Sequence, residues 1–116
     1  MYTVYGIPNC NSVQKARVWL DKHNISYTFH DYKIAGISKA KLNSWCKQYG
    51  WENLLNKNST TWRELTEDAR AAVTSQAAAI ALMLEHNTII KRPLIELDDK
   101  IVMLRFDETA YQNTFL

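Results

Sequence analysis

The chain has 116 residues, a formal net charge of +2, and 47% hydrophobic and 22% charged residues. That is one domain's worth of sequence with apolar material for a single core; it excludes a disordered chain and lacks the strongly basic surface of an electrostatic nucleic-acid binder. No apolar run approaches the roughly 18 residues of a membrane span, and the N-terminal Met-Tyr-Thr-Val-Tyr-Gly has neither the charged nor the apolar stretch of a secretory signal.

The β-rich residues 2–5, stopped by Gly6 and Pro8, predict a first strand and a turn. Asn11 and Ser12 open a helix whose Val13, Ala16 and Leu20 share a face, and Asn24 marks its end. Residues 26–31 alternate Tyr27 and Phe29 with polar neighbours, as a second strand does. Residues 1–32 are therefore a β-α-β unit, whose right-handed crossover makes the two strands parallel neighbours. Behind a Ser38 cap, Leu42, Trp45, Cys46 and Tyr49 repeat at helical spacing up to Gly50. Residues 51–55 read as one further turn and 56–61 as a polar loop. A long helical stretch follows, broken near Glu67; its second half sets Ala77, Ile80, Ala81 and Leu84 on one face and ends near His86-Asn87.

After Pro93 the apolar runs 94–97 and 101–104 flank Asp98-Asp99-Lys100, the pattern of a β-hairpin. Asp107 caps a last helix in which Ala110 and Phe115 are the expected buried residues. This order predicts an α/β protein: one domain over residues 1–116, a four-stranded mixed sheet with helices packed on it, and a helical insert at about 38–88 after the second strand. The arrangement is thioredoxin-like. A ferredoxin-like fold shares the split β-α-β plan, but the extra helices and the place of the first cysteine favour the thioredoxin-like one.

Cys10 follows the first strand and a Gly-Ile-Pro turn, at the start of the first helix. Unpaired backbone N–H groups and the positive end of the helix dipole favour an anion there, so the thiol is expected to be a reactive thiolate near neutral pH. The same groups suit an incoming oxyanion, and Lys15 and Arg17 add positive potential further along. Position 13 is Val13, so there is no Cys-x-x-Cys; a phosphatase loop needs five residues between Cys and Arg, and here six precede Arg17. The site is a monothiol, and its second thiol comes from glutathione or a redox protein. Cys46 shares an apolar stripe with Leu42 and Trp45 and reads as structural, and a chain expected in the cytoplasm needs no structural disulfide. His23, His30 and His86 match no metal-ligand spacing, so no metal is expected. His23 and His86 read as helix-end residues, and His30 sits at a strand end near the site.

Three arginines complete the candidate set. Arg63 enters a helix of the insert, Arg92 precedes Pro93 at the start of the third strand, and Arg105 ends the hairpin. In a thioredoxin-like sheet the Arg92-Pro93 loop, a place for a cis X-Pro bond, faces the N-terminus of the first helix. That sets Arg92, whose guanidinium binds oxyanions and carboxylates bidentately, beside Cys10.

The segments YGIPNCNSVQKA (5–16), HDYK (30–33), LLNKNSTTWREL (54–65) and IKRPL (90–94) resemble the ArsC/Spx family, and its short YffB-type members most. The resemblance runs over essentially the whole chain. It implies a thioredoxin-like core with a helical insert and Cys10 as nucleophile. It further implies a glutathione-dependent thiol reductase that uses glutathione as co-substrate and holds no bound cofactor. A thiol, mixed disulfide or oxyanion is its substrate. Glutathione-dependent arsenate reductases, the alternative, use such a cysteine with three arginines. Arg63 and Arg92 fall on matching motifs; Arg105 aligns with the third, although Phe106 stands where the reductases carry a proline. Spx regulators bind RNA polymerase without catalysis and commonly carry Cys-x-x-Cys, which Val13 removes. Arg92, Arg63, Arg105, Asn11, Ser12 and Pro93 are thus the expected substrate, glutathione or oxyanion contacts, in a monomer with no nucleic-acid or membrane partner.

Overall fold

A computed structural model describes all 116 residues. Its long-range contacts separate two compact units, Met1–Ala35 with Arg92–Leu116, and Gly36–Lys91.

The first unit carries the sheet. Strand β1 (Tyr2–Gly6) leads through a turn into helix α1 (Asn11–Lys22), and β2 (Tyr27–Asp31) returns parallel to β1, with Tyr2 beside Tyr27 and Gly6 beside Asp31. Asn24, at φ 57°, takes the left-handed conformation that asparagine tolerates and turns the chain out of α1. A one-turn helix α2 (Tyr32–Ala35), which the residue pattern does not foretell, follows β2 directly. The hairpin forms as expected from β3 (Leu94–Leu97) and β4 (Lys100–Leu104). Asp98 and Asp99 both have positive φ, 51° and 65°, the twist that a tight two-residue hairpin turn requires. β3 pairs antiparallel with β1, so the sheet order is β2-β1-β3-β4 and the sheet is mixed.

Val4, Ala16, Trp19, Leu20, Ile95 and Tyr111 form the core of this unit. Burying a side chain such as Leu20 contributes about 1.5–3 kcal/mol, so the apolar face of α1 is a main reason the helix stays on the sheet. The last helix, α8 (Glu108–Phe115), is capped by Asp107, whose carboxylate accepts the Ala110 N–H at 2.9 Å. Its buried anchor is Tyr111, not the expected Ala110 and Phe115, which are only half-buried. Tyr111 reaches the core because its hydroxyl donates to the Arg105 carbonyl at 3.0 Å while its ring packs edge-on against Trp19 and Phe106.

The second unit is helical: α3 (Lys39–Tyr49), α4 (Trp51–Leu54), α5 (Thr60–Glu64), α6 (Glu67–Ala71), α7 (Gln76–Glu85) and a 3-10 turn at Asn87–Ile89. The helical stretch expected after residue 61 breaks before Glu67, as predicted, and again before Gln76, giving three short helices. Each restarts on its own cap: Ser59, Thr66 and Ser75 accept the N–H groups of Trp62, Ala69 and Ala78. The buried face of α7 is Ala79, Ile80 and Met83, while Ala77, Ala81 and Leu84 are exposed. Nearly every residue of that helix is apolar, so its periodicity does not single out one face. α3 buries Leu42, Trp45 and Cys46, with Tyr49 exposed. Asn56 N–H to the Ile89 carbonyl (2.7 Å) and Lys91 N–H to the Leu54 carbonyl (2.8 Å) tie the middle of the unit to its C-terminal end. No helix is long and apolar enough to cross a membrane.

Candidate active site

The sheet order decides which side chains meet. β1 is flanked by β2, parallel, and by β3, antiparallel. The end of β1, the end of β2 and the start of β3 therefore lie along one edge. From it emerge the turn to Cys10, the turn to Tyr32, and the Arg92-Pro93 segment.

The turn is built for close approach. A Cβ on Gly6 would lie 2.7 Å from a Val13 methyl, so α1 packs onto the end of β1 only because residue 6 has no side chain. Cys10 N–H donates to the Ile7 carbonyl at 3.3 Å, and the Gln14 amide holds the Pro8 carbonyl at 3.1 Å. Cys10 itself is the N-cap of α1, with extended backbone (φ −93°, ψ 129°), and its carbonyl accepts the first helical bond from Gln14 at 2.9 Å. Its side chain offers no hydroxyl cap, and the first N–H groups of the helix face the half-buried sulfur.

Burial pushes the Cys10 thiol up, yet its pKa lies below the ordinary value, because four opposing influences together exceed that cost. They are the Val13 N–H, a hydrogen bond from the Arg92 side chain, the Arg92 charge, and the Ser12 N–H. Arg92 thus stands where the residue pattern puts it, and the Arg92-Pro93 bond is cis. Ser12 contributes its backbone amide. Asn11, exposed, borders an open groove of about 430 Å³ that runs along α1 past Lys15 and Lys22. Arg17 does not act on the sulfur: its guanidinium lies 4.1 Å from the Phe29 ring centroid and donates to the Tyr27 hydroxyl at 3.2 Å.

Arg105 joins the same edge through its backbone, donating to the Pro93 carbonyl at 2.7 Å from a left-handed conformation (φ 67°), with its side chain exposed. Arg63 belongs to the helical unit, exposed on α5, where Arg70 ties the carbonyls of Arg63 and Leu65 at 3.0 and 2.7 Å. Cys46 is buried and burial alone pushes its thiol up, so the two free cysteines have opposite characters. His23 stacks on Trp19 with centroids 4.0 Å apart at the end of α1, and His30 leans on Tyr5 at 4.9 Å. No group of three or more His, Cys, Asp or Glu side chains gathers in metal-binding geometry.

One residue of the site escapes the sequence reading. Tyr32, fully buried at the start of α2, takes a hydrogen bond from Arg92 and lies within electrostatic reach of Cys10. Burial pushes its phenol up to about 12, against the opposing charge and hydrogen bond of Arg92. The signal available was its place immediately after β2, once β2 is paired in parallel with β1.

The ArsC family model matches residues 5–114, and with them the cysteine turn, Tyr32 and Arg92-Pro93. The chain belongs to the ArsC family. It is 43% identical over 115 residues to an uncharacterised protein of Haemophilus influenzae, covering 99% of both chains. Among solved structures, a YffB protein superposes with a TM-score of 0.92 at 41% identity over 100% of both chains. An arsenate reductase-related protein from Brucella melitensis gives 0.79 at 45% identity, covering 98% of this chain and 93% of that one. The global transcriptional regulator Spx of Streptococcus agalactiae is 29% identical over 110 residues, 93% of this chain and 78% of the regulator. The fold of this ArsC-family protein is thus thioredoxin-like, as its element order implied.

Proposed function

We propose that this ArsC-family protein is a glutathione-dependent thiol reductase with Cys10 as its nucleophile. The observation that carries the reading is the Cys10 sulfur at the open start of α1 with the Arg92 guanidinium bonded to it. A sulfur so held has its pKa lowered, which raises the share of thiolate, the form that attacks a disulfide.

The chemistry takes two exchanges. Cys10 thiolate attacks the glutathione sulfur of a mixed disulfide, forming a Cys10–glutathione disulfide and releasing the substrate sulfur as a thiolate that takes up a proton. A second glutathione, as thiolate, then attacks the glutathione sulfur of that disulfide. Oxidised glutathione leaves and the Cys10 thiolate is restored; per mixed disulfide one reduced glutathione is consumed, its sulfur oxidised as the substrate sulfur is reduced to a thiol. Arg92 stabilises negative charge on the Cys10 sulfur, and with Arg105, Ser12, Asn11 and Pro93 it makes up the proposed surface for the carboxylates of glutathione. Both cysteines are free, which suits a monomer working in a reducing cytoplasm.

Likeness to an arsenate reductase-related protein supports a second reading, attack of Cys10 on arsenate. Against it stands Phe106, which follows Arg105 where the resemblance calls for a proline. Likeness to Spx supports a third, a non-catalytic partner of RNA polymerase. A coupled glutathione assay with a glutathione mixed disulfide and with arsenate decides among them. Turnover of the disulfide, lost in Cys10→Ser, is the expected result. Turnover of arsenate alone gives the second reading. A stoichiometric polymerase complex from lysate with no turnover of either gives the third and overturns the reductase.

A further inference from the structure

Arg92 is half-buried, long and flexible, and a guanidinium acts on a sulfur only if something fixes its direction. Three facts identify what does so. β2 and β3 flank β1 on opposite sides, and Gly6 pairs with Asp31 while Tyr5 pairs with Leu94. Tyr32 is thus the residue after the β2 end, and Arg92 lies two residues before the β3 start, on either side of the turn that carries Cys10. Tyr32 is fully buried, so its ring has one place to be and its hydroxyl is a fixed point. And the Arg92 side chain donates both to that hydroxyl oxygen and to the Cys10 sulfur.

We infer that Tyr32 is a positioning residue, whose buried hydroxyl anchors the Arg92 guanidinium so that its remaining donors meet the Cys10 sulfur. A phenol suits this task. It accepts from a guanidinium while staying neutral, so it orients the cation without neutralising the charge that the sulfur uses. The charged or titratable groups acting on Tyr32 are Arg92, Cys10 and Asp31, and the carboxylate of Asp31 is engaged by the Lys33 N–H at 3.1 Å. As for catalysis, the inference rests on the proposed reductase reading; as for the reactivity of Cys10, it stands on the site alone.

The test is the rate of Cys10 alkylation by iodoacetamide as a function of pH, followed by mass spectrometry on the native protein, which needs no substrate. Tyr32→Phe, which removes one oxygen and keeps the ring, is expected to move the profile toward higher pH and to slow the reaction at pH 7 by about three- to tenfold. Arg92→Ala is expected to slow it at least as much, and Tyr32→Phe added to Arg92→Ala is expected to change nothing further, because Tyr32 acts through Arg92. A wild-type profile in folded Tyr32→Phe overturns the inference, as does a full additional loss in the double variant. If Tyr32→Phe does not fold, NMR exchange of the Arg92 guanidinium protons in the wild type replaces it: protection supports the anchor, and free exchange overturns it. Failure of the glutathione assay with these profiles intact would sink the reductase reading and leave the positioning role standing.

Discussion

Helix α1 begins differently from four helices of the Gly36–Lys91 unit. In the Gly36–Lys91 unit, α3, α5, α6 and α7 start on Ser38, Ser59, Thr66 and Ser75, each of whose side-chain oxygens accepts a backbone N–H of the first turn. In the sheet unit α1 starts on Cys10, whose thiol makes no such bond. A hydroxyl cap satisfies an orphan donor and ends the matter. A sulfur at the same position leaves the donors of Ser12 and Val13 for the thiolate, and Arg92 adds positive charge. The difference teaches that a helix start is generic, while the anion it prefers is made specific by what the sheet brings beside it.

The largest effect expected is from Cys10→Ser. It turns α1 into an ordinary capped helix, so turnover in the coupled glutathione assay is lost entirely. Stability in urea stays level or rises by about 0.5–1 kcal/mol, because serine caps well. Next, Ser75→Cys made in a Cys10→Ser background puts a thiol at the start of α7 without Arg92. Its alkylation at pH 7 is expected to be about tenfold slower than that of Cys10 in the wild type. Equal rates would mean that a helix start alone suffices and that Arg92 is idle.

Gly6→Ala forces a methyl against Val13 and is expected to lower stability by about 1–3 kcal/mol in urea unfolding. Smallest is the pH dependence that Cys10 itself adds. The fold lowers its pKa, so the stabilisation is full above the ordinary thiol value and is lost as pH falls through the lowered one. The stability of the wild type relative to Cys10→Ser is therefore expected to fall as pH is lowered from about 9 toward neutral. The opposite slope would show that the fold favours the neutral thiol.

Local chemistry made much of this legible. Gly6, Pro8 and Cys10 read as strand, turn and helix start because each acts within a few residues, and Asp98-Asp99 mark the hairpin for the same reason. The break near Glu67 was legible, and α6 starts there on Thr66; the further restart of α7 on Ser75 was not. The buried face of α7 was not legible at all, because an almost wholly apolar helix leaves the choice to its neighbours.

Cys10 as a candidate nucleophile is therefore the sequence's own statement: the residue, the turn before it and the helix after it are contiguous. What Cys10 sees is not. Arg92 and Tyr32 lie far from it along the chain, and they come together beside it only because β1 pairs with β2 on one side and β3 on the other. A helix start provides donors locally; a fixed cation and its anchor come only from strand register, which the tertiary structure decides.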